Sequence, residues 1–149
     1  MTNKIKRVAL IGTGIMGAPI AGHVLDAGFD LTVHNRTPEK ARALVERGAH
    51  WASSPAEAAR DADVVLTMVG YPSDVEDVYL ASDGIIRASR KGAYLIDLST
   101  SAAELAREVL ARARTDLFRQ LRGVREIPVV GQRDGSRVRV ARRRALGGR

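Results

Sequence analysis

Gly12, Gly14 and Gly17 follow an apolar run, Val8-Ala9-Leu10-Ile11, in the spacing Gly-x-Gly-x-x-Gly. Between a strand and a helix, that spacing suits the pyrophosphate of a dinucleotide. Gly12 permits the tight turn, Gly14 lets backbone N–H groups approach a phosphate without a Cβ in the way, and Gly17 lets the helix lie close to the strand. The first N–H groups of the helix, with its dipole, then face the anion. The plain alternative is a strand-to-helix turn that merely packs well. A second strand after the helix favours the nucleotide.

The next chemically informative residues are Asn35, Arg36 and Thr37, about 20 residues beyond the glycines. An NAD-binding unit places an acid there to accept from the ribose hydroxyls. An acid would repel a 2′-phosphate, whereas an amide, a guanidinium and a hydroxyl offer donors, and Arg36 can pair with the phosphate bidentately. NADP is therefore the expected cofactor, with NAD as the alternative. The competing reading is that Thr37 only caps a helix that has Pro38 at its first position, with Arg36 solvated. His23 has no ligating partner at a suitable spacing, and no metal site is expected.

These groups need strands ending on one side of a sheet. Strands are expected at Lys4–Ile11, Leu31–Asn35, Ala49–Ala52, Asp63–Val69 and Ala93–Leu98. A helix after Gly14 presents Met16, Ile20, Val24 and Ala27 on one apolar face and closes at Gly28. Further helices are expected over Pro38–Arg47, from Pro55 to about Arg60 behind a Ser54/Glu57 capping box, from a Ser73/Glu76 box to about Leu80, and over Ala102–Ala113 behind Ser101/Glu104. Trp51 reads as a packing residue. Alternating strands and helices with short links predict an α/β fold, a doubly wound parallel sheet of Rossmann type in the order 3-2-1-4-5. Ligands of such sheets sit outside the carboxyl ends of the strands, so Val69 and Gly70 should border the cofactor.

The chain has 149 residues and no cysteine, which excludes disulfides and thiolate metal sites. No apolar run approaches membrane-spanning length and Met1–Arg7 is not followed by a secretory hydrophobic segment, so a cytoplasmic protein without a membrane partner is expected. The net charge of +7 is unevenly spread. Residues 1–111 hold twelve Lys/Arg against fourteen Asp/Glu, whereas residues 112–149 hold twelve Arg against three acids. The expected organisation is a dinucleotide-binding domain over 1–112 and an Arg-rich tail over 113–149.

Taken together, Ile11-Gly12-Thr13-Gly14-Ile15-Met16-Gly17, Asn35-Arg36-Thr37, Leu66-Thr67-Met68-Val69 and Asp97-Leu98-Ser99-Thr100 resemble the N-terminal half of the β-hydroxyacid dehydrogenases. That family includes 3-hydroxyisobutyrate and 6-phosphogluconate dehydrogenases, with imine reductases as close relatives. The resemblance covers residues 5–112 and implies an oxidoreductase that moves a hydride between a nicotinamide and a small 3-hydroxy acid. It assigns the pyrophosphate to Gly12, Gly14, Ile15, Met16 and Gly17, and the adenosine ribose and its phosphate to Asn35, Arg36 and Thr37. Val69 and Thr100 fall on the nicotinamide side, with Ser99 beside the substrate.

The family continues with Asp-Ala-Pro-Val-Ser-Gly-Gly, a lysine-bearing helix and an all-α domain. Here Glu126-Ile127-Pro128-Val129-Val130-Gly131-Gln132 puts Val130 in place of the serine, and the last lysine is Lys91. The resemblance thus implies a cofactor-binding portion that is inactive alone, with a small hydroxy acid as partner only if a second domain were present. The rival readings are an imine reductase fragment and a non-catalytic NADP-binding module. For the tail, the abrupt end of the resemblance favours a truncated or frame-slipped coding sequence near residues 113–125 over a solvated, disordered end. Nucleic acid is the third reading, disfavoured because Phe118 is the segment's one aromatic residue and no binding motif is present.

Overall fold

The computed structural model describes residues 5–99 and 103–120. Five strands form one wholly parallel sheet in the order β3-β2-β1-β4-β5, with β1 Arg7–Ile11, β2 Asp30–His34, β3 His50–Trp51, β4 Val64–Thr67 and β5 Tyr94–Asp97. This is the expected strand order; β1, β3, β4 and β5 are shorter than expected, and β2 keeps its expected length but starts one residue earlier. The helices are α1 Gly17–Asp26, α2 Arg42–Glu46, α3 Pro55–Ala59, α4 Pro72–Leu80, α5 Ile85–Ala88 and α6 Ala103–Gln120, with a 3₁₀ turn over Pro38–Ala41.

Alternation along β1 explains why helices cover both faces. Ala9 and Ile11 enter one core with Val65, Leu95, Val75, Ile85 and Val109. Val8 and Leu10 enter the other with Leu31, Val33, Ala21 and Leu44. Successive strand side chains point to opposite faces, and a parallel strand buried on both reads as a continuous apolar run. Burying one such Leu or Ile stabilises the fold by about 1.5–3 kcal/mol.

Four local expectations are corrected. Met16 precedes α1 and is exposed, and the helix buries Gly17, Ala21 and Gly22, with Ile20 and Val24 packed beside them. The second helix begins as a 3₁₀ turn and becomes α-helical only at Arg42. Pro72 takes the first position of α4, so its cap is Tyr71 and the carboxylate answering it belongs to Asp74, not Glu76. Finally, α6 passes the expected end at Ala113 and reaches Gln120. Ala111–Gln120 holds no Gly or Pro and is rich in Ala, Arg, Leu and Gln, all good helix formers.

The amino-terminal edge of the sheet is fastened by Asp63. Its Oδ2 accepts from the backbone N–H groups of Lys6 (2.7 Å) and Arg7 (2.8 Å), and its Oδ1 pairs with the Arg90 guanidinium. The bonds from Arg7 and Lys6, then the Arg90 charge, hold this carboxyl below the ordinary aspartate range. Among the described residues no helix is long and apolar enough to cross a membrane, and no His/Asp/Glu group forms a metal site.

Candidate cofactor site

Register brings the carboxyl ends of β2, β1, β4 and β5 level. Ile11 pairs with His34 and Thr67, and Thr67 pairs with Asp97. The residues that follow therefore share one rim. At Gly12, φ is +97°, and a Cβ there would stand 2.1 Å from the Met68 carbonyl oxygen. A Cβ on Gly17 would stand 1.8 Å from the Gly12 carbonyl oxygen, so glycine alone lets α1 start this close to β1. A Cβ on Gly14 would meet nothing within 4 Å. Two of the three glycines thus serve close backbone approach and one borders open space.

The first backbone bond of α1 runs from Ala18 N–H to the Gly14 carbonyl (2.9 Å). The N–H groups just before it form the unpaired, positive end of the helix. Ile15 and Met16, 94% and 60% exposed, flank that end. Beneath it Thr13 is buried, and its Oγ1 has no hydrogen-bond partner among the described residues. An orphaned hydroxyl, an open Gly14 and a helix start of unpaired donors together fit a pyrophosphate; an apolar ligand would leave all three unused.

Asn35 does more than line the rim. Its Oδ1 accepts from Thr13 N–H (2.9 Å) and its Nδ2 donates to the Thr37 carbonyl (2.9 Å), tying the glycine loop to the loop after β2. One amide hydrogen is left for a ligand, fewer than the sequence suggested. Thr37 stands at the cap of the 3₁₀ turn, but its hydroxyl makes no capping bond; its carbonyl accepts from Lys40 N–H (3.1 Å). The Arg36 side chain is 85% exposed and its Nη1 lies 3.2 Å from Asp74 Oδ1. Sequence reading missed Asp74. Pro72 at the first helical position was the signal that could have found it.

At the other end of the rim, Val69 lies over the glycine loop, its Cγ1 3.3 Å from where a Gly12 Cβ would stand. Its N–H donates to Ser99 Oγ (2.9 Å), so Ser99 clasps the ends of β4 and β5 and keeps its own O–H proton available. Behind it, Thr67 Oγ1 donates to Asp97 Oδ1 (2.9 Å), which also accepts from Ser99 N–H (2.9 Å). Thr67 has one proton and gives it to the carboxylate, so the Tyr79 phenol 3.0 Å away donates to Thr67. Burial, helped by the Asp97 charge, pushes that phenol well above its ordinary value, so it stays a donor. Gly70 sits beside Asp74 on the rim. Thr100, the segment 126–132 and the tail beyond Gln120 lie outside the described residues.

Residues 7–139 match the family described as the NAD binding domain of 6-phosphogluconate dehydrogenase. An uncharacterized oxidoreductase of Bacillus subtilis, YkwC, is 45% identical over 109 residues, 73% of this chain and 38% of its own length. Among solved structures, the 3-hydroxyisobutyrate dehydrogenase of Mycobacterium tuberculosis with L-serine superposes with a TM-score of 0.69 at 32% identity, over 76% of this chain and 38% of that one. An imine reductase of Myxococcus stipitatus in complex with NADP+ gives 0.67 at 28% identity, over 74% and 37%. The chain spans little more than a third of the length of these relatives. With its parallel five-stranded sheet and glycine-built rim, the chain belongs to the family of the NAD binding domain of 6-phosphogluconate dehydrogenase.

Proposed function

We propose that this chain is the NADP(H)-binding portion of an oxidoreductase of the 3-hydroxyisobutyrate dehydrogenase type. The observation that carries the choice of NADP is the end of β2. Asn35 stands where an NAD-binding unit places an acid, its side chain fastens two loops, and Arg36 next to it is exposed. Gly12, Gly14, Ile15, Met16 and Gly17 would hold the pyrophosphate, and Arg36 with Thr37 the ribose phosphate. Val69, Gly70 and Thr100 would border the nicotinamide, and Ser99 the substrate. The coenzyme supplies the hydride, and the protein's part is to bind and orient it.

The proposal keeps this chain to binding, because Val130 stands where the resemblance places the substrate-contacting serine. Titration calorimetry of the purified chain with NADPH and NADH tests it. NADPH should bind more tightly, and Arg36→Ala should cut that preference about tenfold, as loss of a charge-assisted pair does. No heat with either coenzyme on folded protein would refute the reading. A second reading, an imine reductase portion, rests on the likeness to the Myxococcus enzyme. Assays of the chain with short 3-hydroxy acids and with cyclic imines separate the two, and binding without turnover of either leaves a coenzyme-binding module.

A further inference from the structure

We propose that Asp74 is a coenzyme-selectivity residue: its carboxylate competes with the coenzyme's 2′-phosphate for the Arg36 guanidinium. The inference rests on the NADP reading above and adds a second residue to it. Arg36 and Asp74 come from different elements, the loop after β2 and the first turn of α4, so their pair spans the rim. The two partners are unequally held. Arg36 is 85% exposed on a long stem, whereas the Asp74 side chain is 19% exposed, with its Oδ2 fixed by Tyr71 N–H at 3.2 Å. Asp74 is therefore a fixed anion toward which an exposed, long-stemmed cation leans.

That asymmetry sets the electrostatics. Any anion that pairs with Arg36 enters the neighbourhood of a carboxylate already paired with it, and must share the guanidinium or displace it. A phosphate dianion feels that repulsion; a ribose hydroxyl does not. Asp74 thus weakens NADP binding while leaving NAD binding nearly untouched, and narrows the preference that Arg36 creates. Arg36 favours the phosphate, and Asp74 limits by how much.

The test is calorimetric Kd values for NADP+ and NAD+ on the wild-type chain, Asp74→Asn and Asp74→Glu, with melting temperatures alongside. Asn retains an oxygen for Tyr71 N–H but loses the charge. For Asp74→Asn the NADP+ Kd should fall roughly threefold to fivefold, the scale of one exposed charge pair, with the NAD+ Kd changed less than twofold. The gain should shrink as salt is raised, and Asp74→Glu should stay near the wild-type ratio. Asp74→Ser gives the same comparison where Asp74→Asn melts early. An unchanged or lower NADP+/NAD+ preference in a folded charge-removed variant overturns the proposal alone. Wild-type protein that binds neither coenzyme overturns the function reading and this inference with it.

Discussion

Gly17→Ala and Gly14→Ala separate a phosphate seat from a turn that only packs. At Gly17 the added methyl would stand 1.8 Å from the Gly12 carbonyl oxygen, a backbone atom that no rotamer change can move. Ordinary contact needs more than 3 Å, so the start of α1 must retreat from β1 by over an ångström. Such overpacking costs about 1–3 kcal/mol, against a gain of up to about 1 kcal/mol from replacing helical glycine by alanine. The net expectation is a loss of about 1–2 kcal/mol in urea unfolding, together with weakened NADPH binding, because the retreating helix carries its N–H groups with it. At Gly14 the methyl meets nothing within 4 Å. Gly14→Ala should therefore unfold like the wild type, yet lose NADPH affinity at least tenfold, because its methyl occupies the space a phosphate needs. Unfolding curves paired with calorimetry decide it. A Gly14→Ala variant with undiminished NADPH affinity, or a Gly17→Ala variant as stable as the parent, would refute the reasoning.

Asp63, with its carboxyl held low, contributes stability that is complete above the unfolded-state value near 4 and lost as pH falls through the lower folded-state value. Acid unfolding of Asp63→Asn should accordingly show a shallower decline below about pH 4 than the wild type. Asp63→Ala, which strands the Lys6 and Arg7 N–H groups, should cost about 2–3 kcal/mol at neutral pH by urea titration. Thr67→Val removes the acceptor of the buried Tyr79 phenol and one of the donors to Asp97, and should cost about 1–3 kcal/mol. The Thr67→Val/Tyr79→Phe double variant should lose less than the sum of the single losses in the same assay.

What could be read beforehand was what repeats locally. The apolar runs around Leu10, Val33, Val65 and Leu95 are each buried in the sheet, and Gly-x-Gly-x-x-Gly marked the turn to α1. Strand order followed from alternation of elements and the handedness of crossovers. Hidden from view were the meetings of side chains far apart in the chain: Arg36 with Asp74, Asp63 with the start of β1, Thr67 with Tyr79 and Asp97. Periodicity reports which face a residue occupies, not which polar partner waits there. The Ser54 cap shows the limit even locally. Its hydroxyl accepts from Glu57 N–H (3.1 Å) as expected, but the Glu57 carboxylate reaches back to Ser53, accepting from its N–H and hydroxyl at 2.6 Å each.

β1 is a party wall between two hydrophobic rooms, furnishing one with Ala9 and Ile11 and the other with Val8 and Leu10. Insertion of a single residue just before Val8 would turn each of these side chains into the opposite room and push Gly12 outward by about 3.3 Å. Both rooms would be misfilled at once, and the glycine turn that follows would be displaced with them. Length, more than composition, is what this strand has to conserve.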